Sequence, residues 1–142
     1  MLNHRPDETC LTMSFRSTFA EIRSVLEVLM TQDAIKRLGS RVCHDLELTL
    51  AEALNNVAEH AYDEAVPGLV SMAVTIGPGS VITEIRDYGR PFHQPEGSSE
   101  PRVVADAEGG RGLFLIRSLC QRVDHRRRGD ENILTLELIS SD

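Results

Sequence analysis

Glu52 and Asn56 stand four residues apart in the run LTLAEALNNVAEHAY, so on a helix they share one face, one above the other. A carboxylate and a carboxamide stacked this way suit two jobs. The amide oxygen can ligate Mg²⁺, a hard ion that prefers oxygen, and the carboxylate can orient or deprotonate a nucleophile nearby. The same pair also fits the solvated polar face of an amphipathic helix. Further along, EIRDYGRPF sets Asp87 two residues before Gly89. A strand-end Asp beside a flexible turn can accept a hydrogen bond from an exocyclic amine while the backbone passes close by; it can equally cap the backbone of a plain turn. In GGRGLFLIRSL, Gly110, Arg111, Gly112 and Leu113 open an apolar helical run. Backbone N–H groups and the positive end of a helix dipole favour an anion there, with Arg111 as a mobile charge. A glycine-punctuated entry into a core helix gives the same local pattern.

The elements that must position these residues are read from the rest of the chain. At 142 residues, with 41% hydrophobic and 26% charged residues, residues 1–142 are expected to form a single globular domain with a substantial core. Aromatic residues are only 4% and tryptophan is absent, so that core must be mostly Leu, Val, Ile and Ala. No apolar run approaches the ~20 residues of a membrane span, and MLNHRPDETC lacks the apolar segment of a secretory signal; the expected setting is the cytoplasm, with no membrane contact. Cys10, Cys43 and Cys120 form no CxxC pair and read as reduced buried thiols. A net charge of −7 argues against direct binding of nucleic acid. Lys36 is the only lysine and GxxxxGK[ST] is absent, which excludes a P-loop NTPase.

Residues 1–8 are expected to be disordered, and 9–15 to form a first strand. Thr18 and Glu21 have capping-box spacing, and Phe19, Ile22, Val25, Leu26 and Leu29 predict a helix to about Arg37. Gly39 ends it and Ser40 can cap a second helix, running to about Tyr62. LVSMAVTI and VITEIRD around GPGS predict a hairpin. From Tyr88 to Gly109 the pattern collapses into Gly, Pro, Ser and acidic residues, as in a lid or binding loop. Leu113, Ile116 and Leu119 mark a third helix, and a second hairpin turns around Gly129. This order is not a repeated βαβ pattern. It predicts an α/β (α+β) two-layer sandwich, with helices on one face of a mixed, largely antiparallel sheet.

Each motif is weak alone, but their order is specific. A Glu-xxx-Asn helix, a strand ending in Asp-x-Gly, a lid-length loop and a Gly-x-Gly helix start follow one another within 62 residues. Together they resemble the N, G1 and G2 boxes of the GHKL (histidine-kinase-like) ATPase superfamily, with its Bergerat nucleotide-binding fold. AEALNNVAEHAY, DYGRPF and GGRGLFLIRSL resemble the three boxes of the bacterial anti-sigma-factor serine kinases, and the likeness runs from about Thr9 to Leu138. It implies ATP and Mg²⁺ as cofactors. Asn56 would ligate Mg²⁺ on the ATP phosphates, and Glu52 would be the general base for a protein serine or threonine hydroxyl. Asp87 would take the adenine amino group, with Gly89 letting the base approach the backbone. Gly110, Arg111, Gly112 and Leu113 would wrap the phosphates, with residues 93–109 as the ATP lid. His60 and Tyr62 match the family pattern at the helix end, His60 as a packing residue beside the site.

Three departures accompany the resemblance. Pro91 replaces the second G1 glycine of the wider superfamily. The adenine-side threonine near the final hairpin is missing, with Asn132 near its place. The lid carries Glu96, Glu100, Asp106 and Glu108 against the single cation Arg102, a balance that repels a triphosphate. The implied function is an ATP-dependent serine kinase and anti-sigma factor of a partner-switching system, phosphorylating a STAS-type antagonist and holding a sigma factor or another regulatory target, with a homodimer as the implied assembly. The alternative is a nucleotide-responsive binding module of the same fold without useful kinase activity. A third reading, the catalytic half of a histidine kinase, fits less well because that branch usually carries Asn where Glu52 stands.

Overall fold

The protein is described by a computed structural model at residues 8–63, 65–91 and 114–140. The first strand, β1 (Thr9–Arg16), runs into α1 (Phe19–Met30) through a two-sided cap. Thr18 Oγ1 accepts the Glu21 N–H at 3.1 Å, and Glu21 Oε1 accepts the Arg16 N–H at 3.0 Å. The carboxylate thus ties the helix back to the end of the strand.

The first predicted helix does not continue to Arg37. It stops at Met30, and a short helix α2 (Asp33–Lys36) follows. Thr31 Oγ1 and Gln32 Nε2 both donate to the Val28 carbonyl, at 2.7 and 3.0 Å. These local side-chain bonds compete with the helical ladder, and Gln32 leaves it with an extended backbone at ψ 136°. Gly39, at φ +89°, is the N-cap of α3 (Ser40–Asn56), so Ser40 is the first helical residue rather than the cap. After Asn56 the helix widens into a π turn, Val57–Ala61, before Tyr62 turns extended. The predicted end near Tyr62 holds, but its last turn is not α-helical.

β2 (Leu69–Gly77) and β3 (Ser80–Asp87) form the predicted hairpin. Residues 114–119 form a helical segment, α4, and β4 (Arg122–Arg128) with β5 (Glu131–Ile139) forms the second hairpin. The strand order is β1-β2-β3-β5-β4. Every pairing among the described residues is antiparallel, so the sheet is not mixed. β3 and β4 do run in the same direction, as a helical crossover requires, but β5 is inserted between them.

Alternation sorts the sheet into two faces. Phe15, Val70, Met72, Val74, Val81, Ile85, Leu136 and Leu138 are buried in one core with Ile22, Leu26, Leu29, Ile35, Leu46, Leu50 and Leu54 of the helices. Burial of each such side chain contributes about 1.5–3 kcal/mol. The registers Val70↔Asp87, Asp87↔Asn132 and Asn132↔Arg127 continue this helix-facing side across the sheet at one end. Apolar packing therefore gives way to a row of polar residues, all on the face that the helices cover.

Candidate functional site

Asp87 and Asn132 are directly paired across β3 and β5 and are nearly inaccessible, at 5% and 3% exposure. Asp87 Oδ1 accepts the Gly89 N–H at 2.9 Å and the Asn132 Nδ2 amide at 2.8 Å. Asp87 therefore caps the turn through one carboxylate oxygen. Oδ1 shapes the turn, and neither bond uses Oδ2. Asn132 Nδ2 also donates to the Arg90 carbonyl at 2.8 Å. On its other side, Arg127 reaches back from β4: its guanidinium donates to Asn132 Oδ1 at 3.1 Å, to the Gly89 carbonyl at 2.8 Å and to the Gly129 carbonyl at 2.9 Å.

The end of α3 is fastened to the loop that follows Asp87. The Arg90 N–H donates to the Ala61 carbonyl at 2.8 Å. Its guanidinium donates to the His60 carbonyl at 3.2 Å and pairs with Asp63 at 3.0 Å. Tyr62 completes the clasp, its hydroxyl donating to the Leu69 carbonyl at 2.8 Å and accepting the Tyr88 N–H at 2.7 Å. Burial raises the Tyr62 pKa; the Tyr88 N–H opposes this, and the nearby Asp87 carboxylate adds to the rise. The phenol stays protonated and can hold both bonds.

On α3, Glu52 lies three residues after the buried Thr49 and Asn56 three after the buried Ala53, so they border the inward-facing stripe. Both are half-buried, and among the described residues neither side chain has a hydrogen-bond partner. Half-burial places both side chains between the core and the solvated face of α3. The π turn begins at the next residue, an irregularity found often at functional sites. It turns Glu59 and His60 outward: His60 is exposed, facing Glu59 at 3.6 Å. The expectation that His60 packs beside the site is corrected, since only its carbonyl takes part in the clasp.

Direct bonds bring together Asp87, Gly89 and Asn132, and the clasp ties the end of the helix bearing Glu52 and Asn56 to that group. Gly110, Arg111, Gly112 and Leu113 and the expected lid, 93–109, lie outside the described residues, as do residues 1–7. Ile116 and Leu119 do pack against the core. Arg127, Arg90 and Ala61 were missed by the sequence reading. RRR on an edge strand reads as a solvated charge run, although counting back from the turn at Gly129 places Arg127 on the same face as Asn132. His125, also on that face, sits opposite Leu134. A groove of about 270 Å³ lies at the far end of β5, among Arg41, Cys120 and Leu138, away from this cluster.

Comparison with known proteins identifies the family and the fold. The family described as histidine kinase-like ATPase domain matches residues 15–138. The serine/threonine-protein kinase BtrW of Bordetella bronchiseptica is 32% identical over 70% of this chain and 72% of its own length. The serine-protein kinase RsbW of Halalkalibacterium halodurans is 30% identical over 85% of this chain and 76% of its own. In three dimensions, the RsbU and RsbW domains of a Mycobacterium tuberculosis protein superpose with a TM-score of 0.60 at 16% identity, over 92% of this chain but only 31% of that one. That likeness is one of fold.

Proposed function

The chain belongs to the histidine kinase-like ATPase domain family, and from that premise we propose that it is an ATP-dependent serine protein kinase and anti-sigma factor of a partner-switching system. Its substrate in this reading is a STAS-type antagonist, and its second partner a sigma factor or another regulatory target. A cytoplasmic homodimer belongs to the same reading. The observation that carries it is the Asp87–Asn132 pair. A buried strand-end carboxylate has one oxygen engaged by the turn and the neighbouring amide, while those bonds leave Oδ2 aside. This is the acceptor that an adenine amino group needs.

The remaining roles follow from chemistry and position. Asn56 has an amide oxygen free of partners among the described residues, as a Mg²⁺ ligand requires. Asn56 would hold Mg²⁺ together with the ATP phosphates. When bound, the ion supplies neutralisation of phosphate charge. Glu52 would accept the serine hydroxyl proton as the oxygen bonds to the γ-phosphorus and the bond to ADP breaks. Gly110, Arg111, Gly112 and Leu113 would hold the phosphates under the lid, 93–109.

The acidic lid composition favours the second reading, a binding module that responds to nucleotide without transferring phosphate. Incubation with labelled ATP and a purified STAS-domain antagonist separates the two. Transfer of label that disappears in Glu52→Ala, with ATP binding retained, supports the kinase. Kinase activity undiminished in Glu52→Ala refutes the assigned base, and ATP binding without transfer by the wild type favours the module.

A further inference from the structure

We infer that Arg127 is a positioning residue for nucleobase selectivity, acting through Asn132 and the Gly89 carbonyl to fix which oxygen of Asp87 meets the base. The inference rests on the reading of Asp87 as the base-binding carboxylate.

A guanidinium has five donors and no acceptor, so the atom of Asn132 that faces it must be Oδ1. That orientation leaves both Nδ2 hydrogens for the opposite side, where both partners, Asp87 Oδ1 and the Arg90 carbonyl, are acceptors at 2.8 Å. A flipped amide would oppose lone pairs on that side and donors on the other, losing all three bonds. Arg127 therefore reinforces, from the other side, the amide orientation that these two acceptors require.

The same guanidinium holds the Gly89 carbonyl at 2.8 Å, which steadies the turn whose Gly89 N–H reaches Asp87 Oδ1 at 2.9 Å. Both donors to Oδ1 thus depend on one side chain that does not itself touch Asp87. With Oδ1 saturated, a ligand donor is directed to Oδ2. A 6-amino purine supplies that donor, whereas a 6-oxo purine presents an oxygen and is repelled. Without Arg127 the amide keeps its two acceptors but loses its anchor on the other side, and the Gly89 turn loses its tie, so the presentation of the carboxylate loosens and selectivity falls.

The experiment compares dissociation constants for ATP and inosine triphosphate, which carry the same phosphates, by calorimetry. The proteins are wild type, Arg127→Ala, Arg127→Lys, Asn132→Ala and the Arg127→Ala/Asn132→Ala double variant. The expected result is a wild-type preference for ATP that falls about tenfold or more in Arg127→Ala, which is roughly 1.4 kcal/mol. Arg127→Lys, with one donor able to reach Asn132 Oδ1, recovers part of it, and removing Arg127 in the Asn132→Ala background changes the ratio little. If Arg127→Ala does not fold, the lysine variant decides by an intermediate or unchanged ratio. A wild type with no preference for ATP overturns the Asp87 reading and this inference with it. A wild-type preference kept intact in both Arg127 variants, or a loss fully additive with Asn132→Ala, overturns the positioning role alone.

Discussion

Gly89 packs so closely on Ala61 that a Cβ at Gly89 would overlap the Ala61 carbonyl oxygen, and the next residue, Arg90, donates its N–H to that same carbonyl at 2.8 Å. The π turn after Asn56 and the loop after Asp87 are thereby held in register. Gly89 is not among the glycines with positive φ, so its requirement is one of space. Gly89→Ala is expected to destabilise by about 1–3 kcal/mol through overpacking and to weaken ATP binding. Gly129→Ala, at φ +63° with nothing within 4 Å of the added carbon, is expected to cost about 1 kcal/mol from backbone strain with less effect on ATP. Denaturant melts and ATP titrations of the two variants test this; equal ATP affinity in both would show that the close approach does not govern the site.

Tyr62 makes the other half of the clasp. Its hydroxyl joins the Leu69 carbonyl to the Tyr88 N–H, and its ring lies where a Cβ on Gly68 would stand. Tyr62→Phe keeps the ring and removes both hydrogen bonds, so about 1–3 kcal/mol of stability should be lost. Hydrogen exchange gives the local readout: the Tyr88 amide should exchange faster in the variant, whereas amides in the centre of β2 should change only as global stability does. Unchanged protection at Tyr88 would contradict the assigned bond.

The hairpins, the capped first helix and the inward stripe of α3 were readable because period and turn chemistry are local signals. Asp87 and Asn132 illustrate the limit. Each was visible as a candidate, but their pairing depends on β5 inserting between β3 and β4, which only the tertiary fold decides. Arg127 was hidden by its neighbours, since in a run of three arginines only the count back from the turn at Gly129 marks which one points inward. The break at Thr31 was also unreadable from apolar periodicity, because Leu29 and Ile35 are both fully buried and the interruption lies in polar side chains bonding one carbonyl. The role of Gly89 against Ala61 depends on a long-range approach that no spacing reports.

His125 gives a pH prediction. Part of the residue is open to solvent, yet the protein packed around its ring lowers its pKa from the ordinary value, with the Asp87 and Asp124 carboxylates opposing the fall. The folded state therefore binds fewer protons than the unfolded state between the two pKa values. Stability is full above the unfolded pKa, about 6.5, and is lost as pH falls through it toward the folded value. His125→Gln should flatten this dependence, and the solvent exposure keeps the difference small. Urea midpoints for both proteins between pH 7.5 and 5.5 supply the test; parallel curves would rule out a lowered folded-state pKa.

Asn56 offers a cleaner separation of binding from folding. Its side chain has no hydrogen-bond partner among the described residues, and it occupies the last turn of α3. Removing the amide therefore breaks no described bond, and alanine is the better helix former by a few tenths of a kcal/mol. Asn56→Ala is expected to melt at or slightly above the wild-type temperature. Its ATP affinity without Mg²⁺ should match that of the wild type, because the base and phosphate contacts remain. With Mg²⁺ present, the wild type should gain affinity and the variant should lose most of that gain, about tenfold or more. Asn56→Asp keeps an oxygen at the same position and should keep a Mg²⁺ response, which distinguishes lost ligation from lost shape. If Mg²⁺ strengthens ATP binding equally in the wild type and in Asn56→Ala, the amide oxygen is not a ligand, and the stacked Glu52–Asn56 pair would retain only the base as its chemistry.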